Sequence, residues 1–308
     1  MSDAPPTTGA SASDIPRGEW MDRYVPAAGR PYLRLARLDR PIGTWLLLFP
    51  CWWSIALASE TLPSLRLMLL FAIGAIVMRG AGCTYNDIVD RDFDARVART
   101  ADRPIPSGAV SVKQALAFLV FQALLGLLIL LQLSPAAIGL GVLSLVLVFI
   151  YPLMKRVTWW PQFFLGLAFN WGALMGPAAV LDALPQWAFV LYIGGIFWTL
   201  GYDTIYAHQD KEDDALVGVK SSARRLGAQT RPALFFFYAA AIALFGVAGA
   251  MAGLSWPFYA GLALGAAQLA WQAKTLAIDD PVDCLRMFKS NRVFGWILLV
   301  AIVLGHLV

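Results

Sequence analysis

The chain has 308 residues, 59% of them hydrophobic and 14% charged, with a formal net charge of +4 and a mean hydropathy of +0.64. Soluble domains carry about 25% charged residues, so this composition excludes a water-solvated globule and makes lipid the solvent for most of the chain. The positive charge is small and dispersed, with no aromatic-interleaved basic stripe, which excludes a nucleic-acid partner.

In chain order, residues 1–30 read as a flexible tail rich in Ala, Pro, Ser and Thr, without the apolar core of a signal peptide. Residues 31–308 are expected to form one transmembrane domain. A bilayer core of roughly 30 Å needs about 20 apolar helical residues. Nine stretches approach this, at about 42–58, 65–86, 112–132, 135–154, 159–180, 186–208, 231–252, 256–277 and 292–308. They predict an all-α membrane protein of nine transmembrane helices. The short connections at Leu133–Ser134 and Gly253–Leu254 predict helical hairpins. Cys51, Cys83 and Cys284 lie far apart in or beside apolar segments and show no metal-ligand spacing, so they read as small buried hydrophobes.

Orientation follows from the basic residues of the connections. One set holds Arg34, Arg37 and Arg40, then Arg91, Arg96, Arg99 and Arg103, then Lys155 and Arg156. It continues with Lys211, Lys220, Arg224, Arg225 and Arg231, and with Lys274, Arg286, Lys289 and Arg292. The opposite connections, near 59–64, 133–135, 181–187 and 253–256, contain no Lys or Arg, with only Arg66 close by. The N-terminus and the long loops are therefore expected in the cytoplasm, with Val308 outside.

Two acidic runs open those long loops. Asn86, Asp90 and Asp94 recur at i, i+4, i+8, with Asp87 and Asp92 among them; on a helix this spacing stacks the oxygens on one face. Like charges so placed repel unless a cation settles there, and Mg²⁺ takes one or two carboxylates together with waters and substrate phosphates. Tyr206, Asp210 and Asp214 repeat the spacing, with Asp203 deeper in the helix. A shift of 120 residues lays Asp90–Ala95 on Asp210–Ala215, which suggests an internal duplication with the ligand site between its halves. Two Mg²⁺ ions bridged by a diphosphate would account for both runs.

Arg79 lies inside the second stretch, where a cation costs on the order of 2.5–3.5 kcal/mol. It reads either as a structural partner of an Asp or as a fork for a substrate carboxylate, which Arg meets bidentately. Lys155 and Arg156 close the fourth stretch, as markers of the cytoplasmic side or as ligands for phosphate oxygens; Arg91 and Lys211, inside the acidic runs, could serve either way. Asn170, within the fifth stretch, needs a partner and either lines a cavity or bonds a neighbouring helix. His208 and His306 have no companions that would make a triad or a metal site.

The motifs then bring a family into view. Asn86-Asp87-Ile-Val-Asp90-Arg-Asp-Phe-Asp94 fits the pattern NDxxDxxxD and runs on through Arg99-Thr-Ala-Asp-Arg103-Pro-Ile-Pro-Ser-Gly108. Tyr202-Asp-Thr-Ile-Tyr206-Ala to Asp210 and Asp214 forms a second motif, followed by Gly218-Val-Lys-Ser-Ser222. With Arg37-Leu-Asp-Arg-Pro41-Ile-Gly-Thr and Tyr151-Pro-Leu-Met-Lys155-Arg156, the chain resembles the UbiA superfamily of intramembrane aromatic prenyltransferases over about residues 33–300. Within it, the chain is most similar to the bacterial branch that prenylates 4-hydroxybenzoate towards ubiquinone.

That resemblance implies nine helices, a central cavity open sideways to the bilayer, a bacterial inner membrane, and Mg²⁺-dependent transfer from a polyprenyl diphosphate. It implies that Asn86, Asp90, Asp94, Asp210 and Asp214, with Asp87 counted beside them, hold Mg²⁺-diphosphate. Arg79, Lys155 and Arg156 would contact the diphosphate or the aromatic carboxylate, and Asp203 or Asp210 would be a base for the ring proton unless diphosphate serves. A CDP-alcohol phosphotransferase is disfavoured, since its carboxylates lie in one compact motif, and a cation-coupled organic-anion transporter is the reading from a different class.

Overall fold

The computed structural model describes residues 20–97, 100–216 and 218–307. Residues 1–19 of the expected tail, Arg99 and Val308 lie outside that set, as do the side chains of Asp210 and Asp213. Among the described residues every regular element is helical. The helices are α1 (Trp20–Tyr24), α2 (Arg30–Leu35), α3 (Ile42–Ala58), α4 (Leu65–Asp94), α5 (Val112–Leu130), α6 (Pro135–Val157) and α7 (Pro161–Phe169). They continue with α8 (Gly172–Leu181), α9 (Gln186–Ala207), α10 (Lys211–Leu216), α11 (Ser222–Leu226), α12 (Thr230–Met251), α13 (Trp256–Thr275) and α14 (Pro281–Leu307).

Among the described residues, seven segments are long and apolar enough to cross a membrane: α4, α5, α6, α7 with α8, α9, α11 to α12, and α14. The chain is thus an integral membrane protein. Helix α3 is apolar but shorter, and α13, which carries Gln268, Gln272 and Lys274, is not among the seven.

Three expected boundaries need correction. The stretch at 65–86 continues as helix to Asp94, past its expected end, and the first acidic run stands on α4 with the helical spacing of Asn86, Asp90 and Asp94 realised. The stretch at 159–180 is broken at Asn170–Trp171, where the Asn170 amide donates to the Gly166 carbonyl and competes with the main-chain ladder. The last helix begins at Pro281 rather than near 292: its first turns bury Cys284, Met287, Phe288 and Asn291, while Arg286, Lys289 and Arg292 dilute the apolar signal.

The described residues divide into two compact units, those within 20–41 and 80–123 and those within 42–79 and 124–307. In the first, Leu35, Ile88, Ile105, Val110 and Ala115 form a small core, against which Tyr32 and Phe118 pack edge to face at 5.3 Å. Thr84 donates to Gln122 at 3.1 Å, a buried contact between α4 and α5.

The second unit has the larger core. Trp53 sits at its centre, with Trp198 at 5.1 Å, Phe245 at 5.5 Å and Phe294 at 6.1 Å. Its indole N–H, which would be costly to bury unpaired, donates to the Gly295 carbonyl at 2.9 Å. Helix ends are held by short polar links. Ser134 caps α6 by accepting from Ala137 N and donates to the Ala178 carbonyl at 2.6 Å. Asp182 ends α8 in a left-handed turn and accepts from Ala136 N at 3.0 Å. The expected hairpin at Gly253–Leu254 is present, with α12 packed on α13 and Gly253 at φ +75°, where a side chain would be strained.

Candidate active site

The last turns of α4 carry Asn86, Asp87, Asp90 and Asp94. At about 100° per residue, all four lie within an arc of about 100°. The repulsion expected there is met first by protein cations. Arg37 donates to Asp87 Oδ1 at 2.6 Å, and both are buried. Arg103 donates to Asp94 Oδ2 at 2.9 Å and reaches Asp87 Oδ1 at 3.5 Å. Arg37 holds this position with φ +56°, a left-handed conformation that costs about 1–2 kcal/mol for a residue with a Cβ. Such strain persists where surrounding contacts over-determine it.

Asp87, grouped with the metal ligands on motif grounds, thus has one oxygen committed to arginine, while Oδ2 is buried without a hydrogen-bond partner. Asp90 is fully buried, and Asn86 is half-buried. Arg91 points to the exterior, with Asp92 at 3.5 Å. Helical spacing gave no hint of the Arg37 pair, which closes over 50 residues.

The second run does not continue one α-helix through i, i+4, i+8. Helix α9 ends at Ala207, His208–Asp210 tighten into a 3₁₀ turn, and α10 starts at Lys211. Asp203 is half-buried on α9, and the Tyr206 ring packs on Phe288 at 4.7 Å. Asp214 is half-buried, and its carbonyl accepts from Val219 N at 2.9 Å. Lys211 pairs with the exposed Asp279 and by that hydrogen bond holds the Asp279 carboxyl below the usual carboxylate range. His208 meets Thr230 Oγ1 at 2.9 Å. Burial, and then the Lys211 charge, lower its pKa to about 4, so its ring is neutral at physiological pH.

Lys155 and Arg156 stand in the last turn of α6. The segment that follows the second acidic run is fastened there: Lys220 N donates to the Lys155 carbonyl at 2.9 Å and Lys220 Nζ to the Val157 carbonyl at 3.0 Å. Nearby, Ser222 N donates to Gln162 Oε1 at 3.1 Å, and Ser222 and Thr204 share a hydrogen bond of 2.6 Å. In this unit, then, the basic end of α6 and the loop after Asp214 form one neighbourhood.

Arg79 is half-buried on α4, its guanidinium carbon 5.4 Å from the Phe169 ring centroid. Of the two roles open to Asn170, the structure supplies the helix contact. Its amide donates to the Gly166 carbonyl and to Thr199 Oγ1 at 2.8 Å, and Thr199 donates on to the Tyr202 hydroxyl at 3.1 Å.

Among the described residues, no three carboxylate, imidazole or thiol groups gather to hold a metal without other ligands. A hard cation does not require that. Mg²⁺ draws one or two carboxylates and completes its octahedron with water and phosphate oxygens. An all-oxygen donor face of Asn86, Asp90 and Asp94 on one helix suits it, and there is no imidazole or thiolate among those donors to favour a softer metal.

Comparison with known proteins adds the family. A profile of the UbiA prenyltransferase family matches residues 47–299. The chain is 52% identical over 295 residues to a mitochondrial 4-hydroxybenzoate polyprenyltransferase of Arabidopsis thaliana, covering 95% of this chain and 72% of the relative. It is 46% identical over 291 residues to 4-hydroxybenzoate geranyltransferase 1 of Lithospermum erythrorhizon, covering 94% of each. A UbiA homologue from Aeropyrum pernix K1, solved in its apo form, superposes with a TM-score of 0.70 at 26% identity, over 84% of this chain and 97% of that one. Another from Archaeoglobus fulgidus, bound to GPP and Mg²⁺, shares the fold with a TM-score of 0.63 at 15% identity, over 88% of this chain and 99% of that one. With most of its length matched by the family profile, the chain belongs to the UbiA prenyltransferase family.

Proposed function

We propose that this protein transfers a polyprenyl group from polyprenyl diphosphate to the ring carbon ortho to the hydroxyl of 4-hydroxybenzoate, releasing diphosphate, in ubiquinone biosynthesis. The observation that carries this is the near-full-length likeness to enzymes named for 4-hydroxybenzoate, in a chain whose first acidic run stands in the last turns of α4.

In the reaction the allylic C1–O bond breaks and the electron pair departs with diphosphate. The ring carbon then forms the C–C bond and loses its proton. Asn86, Asp90, Asp94, Asp210 and Asp214 would hold Mg²⁺, which when bound would supply positive charge to neutralise the diphosphate. Lys155 and Arg156 add fixed positive charge for the leaving oxygens, a form of preorganisation that contributes most where water is excluded. Arg79 meets the acceptor carboxylate with its fork. Asp203 or Asp210 takes the ring proton, unless the departing diphosphate does. Apolar walls keep water from the cation-like C1.

The distribution of Lys and Arg supports a cytoplasmic N-terminus and a site on the cytoplasmic side, and the same proposal takes the chain as one domain of nine spans over residues 31–308 in a bacterial inner membrane. The aspartate roles are tested by Asp90→Ala and Asp210→Ala, assayed in membranes for diphosphate release with both substrates present. Loss of release from correctly inserted protein is expected of each, and near-normal release from either would remove the metal assignment.

A further inference from the structure

The surroundings of Arg79 show how its fork is aimed. A methyl group built on Gly43, the second residue of α3, would lie 2.5 Å from Arg79 Nε, 2.8 Å from Nη2 and 3.0 Å from Cζ. Those are its three nearest neighbours, so the space a side chain would take at position 43 is filled by the guanidinium itself. The same guanidinium carbon lies 5.4 Å from the centroid of Phe169, a buried ring in the last turn of α7. An aromatic face attracts a cation most strongly where water is excluded. Three segments of the second unit thus converge on one planar group, and Arg79 remains half-buried rather than sealed.

We infer that Gly43 and Phe169 are positioning residues that fix the plane of the Arg79 guanidinium, and so set the protein's preference for a carboxylated aromatic acceptor. This rests on the reading of Arg79 as the carboxylate fork. Bidentate recognition is geometric: both N–H groups must face both carboxylate oxygens together. A guanidinium free to rotate about its stem would give a point charge and little selectivity. At Gly43 the absent Cβ admits the group to within contact of the backbone, and at Phe169 the ring holds its face.

Gly43→Ala is a sharp probe, because the added methyl meets the end of a flexible side chain rather than backbone. The helices stay in place while the fork turns away. The experiment compares 4-hydroxybenzoate with its uncharged amide, 4-hydroxybenzamide, as acceptors for wild type, Gly43→Ala and Phe169→Leu in membranes with saturating polyprenyl diphosphate and Mg²⁺. Both variants are expected to raise KM for 4-hydroxybenzoate and to lower the carboxylate-over-amide ratio of kcat/KM by about tenfold, the size of one misaligned charge-assisted contact. The KM for the diphosphate should stay within about twofold, a change of under 0.5 kcal/mol. An unchanged carboxylate-over-amide ratio in both variants, or a parallel loss with both acceptors, overturns the inference. Failure of the wider functional reading looks different, since the wild-type protein would then give no product with either acceptor. Should Gly43→Ala not insert, Phe169→Leu, which keeps an apolar side chain, decides alone.

Discussion

Arg37 offers the most detailed test of the ion cluster on α4. The Arg37–Asp87 contact is 2.6 Å long, with Arg37 8% and Asp87 0% exposed. Removing one partner of a buried pair costs about 3–5 kcal/mol, because the remaining charge is left uncompensated. Arg103 still stands 3.5 Å from the same oxygen, so Arg37→Ala should fall at the lower end, about 3 kcal/mol. The backbone adds a second term. At φ +56°, glycine escapes a left-handed cost of about 1–2 kcal/mol but adds about 0.4–1 kcal/mol of unfolded-state entropy. Arg37→Gly should therefore be about 1 kcal/mol more stable than Arg37→Ala, the reverse of their order in an ordinary helix. Unfolding of the detergent-solubilised protein, by heat or denaturant, reads both differences. An alanine variant close to wild type would refute the ion-pair argument. Alanine equal to or better than glycine would refute the backbone argument.

Other consequences follow from the same structure. His208 is held neutral, with its pKa lowered to about 4 from 6.5. The unfolded chain binds that proton first as pH falls, so the stability contribution is full above about pH 6.5 and lost on the way down to about pH 4. The full shift corresponds to about 3.4 kcal/mol, which partial solvent screening reduces to roughly 2–3 kcal/mol. His208→Gln should flatten the pH dependence of unfolding in that window, and an unchanged slope would show that another group carries it. Gly176→Ala should cost about 1–3 kcal/mol by overpacking, because the new methyl would come within 2.8 Å of Ile55 N, a backbone atom of α3 that cannot step aside. A melting temperature equal to wild type would contradict that close packing of α3 on α8. Asn170→Ala leaves Thr199 without a donor at the α7–α8 break. It should lower stability by about 1–3 kcal/mol while leaving acceptor KM near wild type, and a selective rise in that KM would return Asn170 to the substrate.

Much of the fold was legible because lipid demands long apolar runs. The nine stretches correspond to helical segments, and the hairpin at Gly253–Leu254 appears where its short connection fell. Where the reading slipped, polar residues were the reason. The apolar stretch of α4 ends near Asn86 because hydropathy falls there, yet Asp87 and Asp94 are held by Arg37 and Arg103 and the helix continues to Asp94. The start of α14 was hidden by alternating charges on a helix that buries Met287 and Asn291. At the candidate site, the recurring Asn/Asp spacing was visible, as was Arg79 within an apolar stretch. Pairings over long sequence separations were not. Nothing in the order of residues joins Asp87 to Arg37, Lys155 to Lys220, or Gly43 and Phe169 to Arg79, because each depends on how helices distant in sequence pack.

The account's central claim is tested most directly by the mass of the aromatic product. Membranes carrying this chain would receive 4-hydroxybenzoate, a long-chain polyprenyl diphosphate and Mg²⁺, with and without EDTA. A ring product heavier by one polyprenyl group in place of a hydrogen, lost with EDTA and restored by excess Mg²⁺, is the predicted result. Correctly inserted protein that yields no prenylated 4-hydroxybenzoate under these conditions would contradict it.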